Sequence, residues 1–466
     1  MVQQETLSVF GLGKLGTTML SCFAHKGWKV IGVDVVQDNV DAINEGRSPI
    51  YEPKVNELLE SNKERIQATT VAEYAVINSH ASFIMVPTPS DGNGLFSTKY
   101  VEDVCENIAK AIKIKNAYHT IVITSTVLMG DTARIGKMIE DVSGKKMGED
   151  FGLAYNPEFI ALGRIVMDFL NPDMVLIGES DERTGDFLES IHNRLTDNDA
   201  NVYRMNFYNA ELSKIALNSF CTLKITFANT IAEICEKLPG GDSEEVLKAI
   251  GSDSRIGTKY LNGGLAYGGS CFPRDNRALF YSAKKFGVDM LFCKHTDDLN
   301  DYHKTARICE LITDLMAEKE TDNLAILGLS YKEDTPIVEE STPIEVIKLL
   351  SVNGIRITIY DPAAMEEAKK ELGENDHIQY ADSALSCIKN QSVCFIATPW
   401  EEFSELKAND IFENMNKNPI ILDAWGILPF QRATSIAWGV LPFQRATSIR
   451  DEKNTLNIRR IGKNYK

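Results

Sequence analysis

The chain has 466 residues, 44% apolar and 25% charged, a balance that excludes collagen-like, disordered and disulfide-scaffold proteins and at roughly 150 residues per domain suggests about three domains. Its 49 Lys and Arg against 66 Asp and Glu give a net charge of −17. That charge argues against nucleic acid or an anionic membrane surface as partner, and leaves room for a local basic pocket that takes a small anion.

The opening residues, Met1 to Thr6, lack the basic and apolar regions of a signal peptide, and no run approaches the roughly 20 apolar residues of a membrane helix. Nine cysteines are scattered from Cys22 to Cys394 without a CxxC pair. This pattern points to reduced thiols in a cytoplasmic protein, with no disulfide framework and no metal site.

In chain order, Leu7–Phe10 reads as a strand, Gly11–Gly16 as a tight turn, the stretch through Lys26 as a helix and Lys29–Asp34 as a second strand. Apolar runs at Phe83–Val86, Ile121–Thr124 and Met174–Ile177 are further strands, separated by helical patterns such as Val101–Ile114 and Gly130–Ile139. Alternating strands and helices predict a mostly parallel, doubly wound sheet. From Phe207 to Leu238 a long helix is predicted, with an apolar stripe of Ile215, Phe220, Leu223, Phe227, Ile231 and Ile234, stopped by Pro239-Gly240-Gly241. Near residue 320 the α/β rhythm resumes, with strands at Leu324–Leu329, Ile355–Tyr360, Ser392–Thr398 and Ile420–Trp425 and a helix from Pro343. The fold class is therefore α/β, with two Rossmann-like doubly wound domains (1–204 and 306–466) joined by a central helical domain (205–305) that carries a long connecting helix. Ala424–Ile436 and Ala437–Ile449 are a tandem duplication differing only at Ile427 against Val440, read as a recent duplication in a surface segment.

Four motifs carry chemistry. Gly11-x-Gly13-x-x-Gly16 between a strand and a helix, with Asp34 eighteen residues on, is the pattern of a dinucleotide site. Gly11 permits the turn, Gly13 lets the backbone approach a pyrophosphate, Gly16 allows helix–strand packing, and Asp34 accepts from ribose hydroxyls and repels a 2′-phosphate, so NAD is favoured over NADP. In Gly268-Gly269-Ser270-Cys271-Phe272-Pro273-Arg274-Asp275, a cysteine precedes a helix N-terminus, which favours the thiolate needed for covalent catalysis on a carbonyl. A small buried thiol is the equally weighted alternative from this pattern alone. Lys214 and Asn218 share one helix face. Glu158, in Tyr155-Asn156-Pro157-Glu158-Phe159, is either a general base or a helix cap.

Taken together, GLGKLG, VPTP (Val86–Pro89), STV (Ser125–Val127), NPEF (Asn156–Phe159), ELSKIALNSF (Glu211–Phe220), SRIG (Ser254–Gly257), GGSCFPRD (Gly268–Asp275) and GLSYKEDT (Gly328–Thr335) resemble the UDP-glucose/GDP-mannose dehydrogenase family, in its order and over most of the chain. The resemblance implies NAD-dependent oxidation of a nucleotide-sugar C6 hydroxyl to a carboxylate in two hydride transfers. It implies Cys271 as the nucleophile that holds the aldehyde and then a thioester, and Lys214 and Asn218 as oxyanion donors. Asp275 then supports Lys214 and a water, and Glu158 with Thr126 activates water for hydrolysis. For NAD it implies Gly11, Leu12, Gly13, Lys14, Leu15, Gly16, Asp34, Val86, Pro87, Thr88, Pro89, Ser125 and Thr126. For the nucleotide-sugar it implies Glu158, Phe159, Lys214, Asn218, Arg255 (reaching a neighbouring subunit's site), Tyr260, Leu261, Gly268, Tyr331 and Lys332.

A homodimer or higher homo-oligomer is implied as well. NPEF followed by Pro172-Asp173 and Ile177-Gly178 resembles the UDP-glucose branch, with GDP-mannose and UDP-N-acetylhexosamine dehydrogenases as alternatives and a non-catalytic dinucleotide-binding module as the reading from another class. Departures are Leu128 after STV, Ala266-Tyr267, Arg274, and Glu339 where the family usually has Arg. Arg432 and Arg445 stand as substitutes for a late basic substrate contact.

Overall fold

The computed structural model describes residues 5–428, 447–451 and 454–464. Most of the tandem duplication, with Arg432 and Arg445, lies outside the described residues. The chain forms two compact units, one of Met1–Leu217 with Tyr281–Val288, the other of Asn218–Phe280 with Asp289–Lys466.

The first unit is built on an eight-stranded sheet of β1 (Thr6–Phe10), β2 (Lys29–Val33), β3 (Ile66–Thr69), β4 (Ala81–Ile84), β5 (His119–Ile123), β6 (Phe151–Tyr155), β7 (Met174–Glu179) and β8 (Asn201–Met205). Its order is β3-β2-β1-β4-β5-β6-β7-β8. Every pair is parallel except β6–β7. The second unit holds a seven-stranded sheet of β9 (Asn323–Leu327), β10 (Arg356–Tyr360), β11 (Ile378–Tyr380), β12 (Val393–Ile396), β13 (Ile420–Asp423), β14 (Thr447–Asp451) and β15 (Asn454–Arg459), in the order β11-β10-β9-β12-β13-β15-β14. Only β14–β15 is antiparallel.

The strands read as unbroken apolar runs because helices cover both faces of a parallel sheet. Successive residues of β1 feed opposite cores: Leu7 and Val9 join one buried cluster with Met19 and Phe23, and Phe10 joins another with Ile108 and Ile135. Strand β9 repeats this, with Leu324 and Ile326 on one side and Ala325 and Leu327 on the other. In both sheets the strand order reverses at a central point, between β1 and β4 and between β9 and β12. Ligands of open α/β sheets bind at the carboxyl ends of the strands flanking such a reversal. Among the described residues, no helix is long and apolar enough to cross a membrane.

The long helix spans Phe207–Lys237, and its apolar stripe is only partly covered: Ile215 is buried, and Leu223 and Ile231 are half-buried. Phe220, Phe227 and Ile234 are 62%, 48% and 48% exposed, whereas Glu211, Lys214, Asn218, Thr222 and Asn229 are buried. Hydrophobic spacing marks a helix face; it does not say which face the same chain covers. The helix after Cys271 covers Phe272–Lys284, placing Pro273 within its first turn, where a missing N–H costs nothing.

Candidate active site

In the first unit, the Gly11–Gly16 turn follows β1 and the Val86–Pro89 loop follows the neighbouring β4. Gly11 has φ +94°, and a Cβ there would stand 2.4 Å from Met85 O; a Cβ on Gly16 would stand 1.8 Å from Gly11 O. A Cβ on Gly13 would meet nothing within 4 Å, so the backbone is open to a ligand where a pyrophosphate would sit. The helix Lys14–His25 starts at Gly13 without a side-chain cap, leaving its first N–H groups to an anion. Asp34 accepts from Leu12 N at 2.6 Å and Val36 N at 2.8 Å, one donor per carboxylate oxygen, so lone pairs remain for ribose hydroxyls. These residues fit NAD. Gly16→Ala is expected to abolish NAD binding and lower Tm, since overpacking of this kind costs about 1–3 kcal/mol; NAD titration and thermal melts check it.

The Val86–Pro89 loop is stitched to the turn after β5. Val86 N donates to Ser125 Oγ at 2.9 Å, Ser125 Oγ donates to Val86 O at 2.7 Å, and Thr88 Oγ1 donates to Thr126 O at 2.8 Å. The VPTP and STV motifs thus form one surface beside the glycine turn. Leu128, in place of Pro, donates its N–H to Asp131 Oδ2 at 3.0 Å, a bond that Pro could not make.

Glu158 follows β6. Lys214 Nζ donates to the main-chain oxygen of Glu158 at 2.5 Å and lies 4.5 Å from the centre of the Phe159 ring. The structure therefore gathers Glu158, Phe159 and Lys214 at the carboxyl end of this sheet. Burial pushes the Glu158 carboxyl up to about 7, with Lys214 opposing the shift. Glu211, one turn before Lys214, escaped the sequence reading as a separate player. It accepts from Gly130 N at 2.6 Å and Thr132 N at 2.8 Å, capping the helix Asp131–Ser143. No local pattern announces a cap that arrives from a distant helix.

In the second unit, Cys271 immediately precedes the helix Phe272–Lys284 and is exposed, the one exposed thiol of nine. Burial drives others up: Cys22 and Cys387 to about 12, Cys293 and Cys309 to about 11. One turn into the helix, Asp275 is buried and accepts from Asn218 Nδ2 at 2.7 Å and from Arg274 Nε and Nη2 at 3.1 and 3.0 Å. Asn218 is thereby held with its second N–H free for an oxyanion.

The glycines before Cys271 are pinned by the loop after β9. Gly269 N donates to Glu339 O at 3.0 Å, a Cβ on Gly268 would stand 2.4 Å from Glu340 O, and one on Gly269 would stand 2.7 Å from the Tyr331 ring. Burial raises the Tyr331 phenol, and the neighbouring Cys271 adds to that shift. Glu339 thus contributes its carbonyl while its side chain is exposed; Glu340 carries the charge work, pairing with Arg277 at 2.8 Å and with Lys304. Lys332 is half-buried beside Tyr331. Tyr260 has φ +61° and its ring meets Phe272 at 5.8 Å. Leu261 is buried with Ala228 and Leu247. Arg255 is exposed and paired with Asp253 at 2.8 Å.

The second sheet repeats the first hinge with a different outcome. Gly328 has φ +94° and donates to Tyr360 O at 2.8 Å, as Gly11 does to Val33 O at 2.8 Å. Its acidic residue, Asp361, is buried and accepts from Leu329 N, Ser330 N, Ser330 Oγ, Ala363 N, Ala364 N and Trp400 Nε1. No acceptor capacity is left for a ribose, and Ser330 and Glu333 stand where the first turn has Gly13 and Gly16. The dinucleotide belongs to the first sheet.

Models of the UDP-glucose/GDP-mannose dehydrogenase family match the chain three times: its NAD binding domain over residues 5–196, its central domain over 208–302 and its UDP binding domain over 325–429. The chain is 36% identical to the UDP-glucose 6-dehydrogenase of Haloferax volcanii over 422 residues, 89% of this chain and 95% of that one. It is 39% identical to the GDP-mannose 6-dehydrogenase of Pseudomonas aeruginosa over 362 residues, 76% and 80% of the two. A solved UDP-glucose dehydrogenase from Pyrobaculum islandicum superposes with a TM-score of 0.81 at 33% identity, covering 91% of this chain and 94% of that one.

Proposed function

The chain belongs to the UDP-glucose/GDP-mannose dehydrogenase family, and from that premise we propose that it oxidises the C6 hydroxyl of a nucleotide-sugar, UDP-glucose by preference, to the carboxylate through a covalent adduct on Cys271. The observation that carries this reading is the placement of Cys271: the one exposed thiol among nine, at a helix N-terminus, beside glycines closed over by Tyr331.

NAD, when bound, supplies the hydride acceptor for both oxidations. The chain's own residues do the rest. Gly11 to Gly16 and Asp34 hold the dinucleotide, and Val86–Pro89 with Ser125 and Thr126 wall its reactive end. The Cys271 thiolate adds to the aldehyde carbon, which keeps the half-oxidised sugar from leaving. Lys214 and Asn218 donate to the oxygen as it gains charge. Asp275 orients Asn218. At the thioester stage Glu158 takes a proton from the attacking water, the C–S bond breaks, and the thiolate returns. Arg255, Tyr260, Leu261, Gly268, Tyr331 and Lys332 form the nucleotide-sugar's cradle in this reading, with the second sheet's reversal point holding the nucleotide.

Because burial raises Glu158 to about 7 and the base must be ionised, kcat is expected to fall as pH drops below about 7. Glu158→Gln removes that limb along with hydrolysis. The substrate test is a rate comparison on UDP-glucose, GDP-mannose and UDP-N-acetylhexosamines. We expect the highest kcat/KM with UDP-glucose; turnover confined to GDP-mannose, the substrate named for one of the relatives above, contradicts the assignment. Reduced thiols suit the cytoplasm.

A homodimer completes the proposal. Phe220, Phe227 and Ile234 recur every seven residues on one exposed helix face, the spacing of a helix seam, and a second copy of the same seam is its natural cover. Phe220→Asp with Phe227→Asp is expected to halve the mass in solution; an unchanged mass contradicts this interface.

A further inference from the structure

Oε1 of Glu158 is buried and has no hydrogen-bond partner, an arrangement that disfavours a charged carboxylate. Glu158 lines a narrow cavity of ≈ 10 Å³ together with Asn156, Phe169, Pro172, Val175 and His192. That is room for about one water, and Glu158, Asn156 and His192 supply the two to four polar partners that a buried water needs.

Two hydrogen bonds fix the polar wall. Asn156 Nδ2 donates to Leu176 O at 2.9 Å, so Asn156 Oδ1 is the acceptor facing His192 Nε2 at 2.8 Å. His192 therefore carries its proton on Nε2, and burial keeps the ring neutral by pushing it down to about 4. Asn156 opens the turn that ends in Glu158, so the imidazole anchors the backbone that presents the carboxyl. His192 and Val175 also line an open pocket of ≈ 250 Å³ with Asn193, Thr196, Asp197 and Asn198. The ring thus stands between that pocket and the cavity behind Glu158.

We propose that the cavity is a water site and that His192 is a positioning residue which, through Asn156 and that water, holds the Glu158 carboxyl for the reaction. The proposal rests on Glu158 acting as the base. The groups facing this carboxyl are Lys214 from the long helix, Cys22 from the helix Lys14–His25 and His192 from the helix Glu182–Leu195. Cys22 and His192 are neutral, so Lys214 and the water are what favour the ionised form. Loss of the water shifts the balance towards the protonated carboxyl, which is the inactive form of a base.

Two variants separate the parts. Val175→Leu enlarges a side chain that lines the cavity and leaves the His192–Asn156 bond in place. His192→Phe removes the bond. Both are expected to move the acidic limb of kcat to higher pH and to lower kcat at pH 7 by roughly three- to tenfold, a one-unit displacement of a limb that starts near 7 corresponding to about fivefold, with little change in KM for the nucleotide-sugar. A high-resolution crystal structure is expected to show a water within hydrogen-bond distance of Glu158. A dry cavity, or variants that lose only Tm while the limb stays put, would overturn the proposal. Glu158→Gln distinguishes the two levels. Its full activity would overturn the base assignment and this proposal with it, whereas its inactivity beside an unmoved limb in both variants overturns this proposal alone.

Discussion

Cys271→Ser is expected to reduce carboxylate formation by roughly 10³-fold or more, as removal of a covalent nucleophile does, while NAD binding stays as it was. The reasoning runs from exposure and position. Burial protonates the other thiols that it reaches: Cys22, Cys293, Cys309 and Cys387 are raised to between about 11 and 12. Cys271 alone is exposed, and it precedes a helix whose N-terminus favours an anion. A serine keeps the volume and the hydrogen bonding but stays protonated near neutral pH, so the aldehyde is no longer held. NAD binding is built from the first sheet's own residues and has no reason to change. The check is product analysis alongside a dinucleotide titration; unchanged carboxylate formation would remove Cys271 from the mechanism.

Lys214→Ala is the second large effect. A preorganised donor to a developing oxyanion is worth about 10²–10³ in kcat, and this side chain is buried, with its ammonium 2.5 Å from Glu158 O and over the Phe159 ring. The loss should fall on kcat, with KM for the nucleotide-sugar changed far less, because the oxygen gains its charge only on the way to the transition state. Lys214→Arg should recover little, since a planar fork does not replace a compact ammonium in a fitted pocket. Steady-state kinetics of the two variants against Tm decide it. A fall in Tm with kcat intact would make Lys214 a brace for the Glu158 turn and nothing more.

Much of the architecture was legible in the chain. Strand–turn–helix around Gly11–Gly16 needs only the glycines and a β-rich run, and the structure gives each glycine the tight contact or open space its place in the motif calls for. The second α/β half was visible in the apolar runs from Leu324 onward. Its refusal of a dinucleotide was not, because the filling of Asp361 by Trp400 and four backbone amides depends on residues up to 39 positions away. The long helix was found from its length and its stop signal, but its apolar spacing did not say which part of the stripe the chain covers: Ile215 is buried and Phe220 is exposed. Phe220, Phe227 and Ile234 lie outward, and a row of polar side chains is buried, where Glu211 caps a distant helix and Asn218 donates to Asp275. Glu211 shows the same limit. Its neighbours in sequence say nothing of Gly130 and Thr132, which it caps across 81 and 79 positions. Side chains that act on distant backbone leave no periodic trace, and those are the ones that sequence patterns miss.

The central claim is that one site takes an alcohol to a carboxylate without releasing the aldehyde. The most direct test is the amount of NADH formed per UDP-glucose consumed, with the purified protein, excess NAD and the reaction followed to completion. The account predicts about two NADH per sugar, UDP-glucuronate as product and no free aldehyde trapped by an added hydrazine. About one NADH per sugar with a trapped aldehyde would contradict it, leaving a simple alcohol dehydrogenase with Cys271 outside the chemistry.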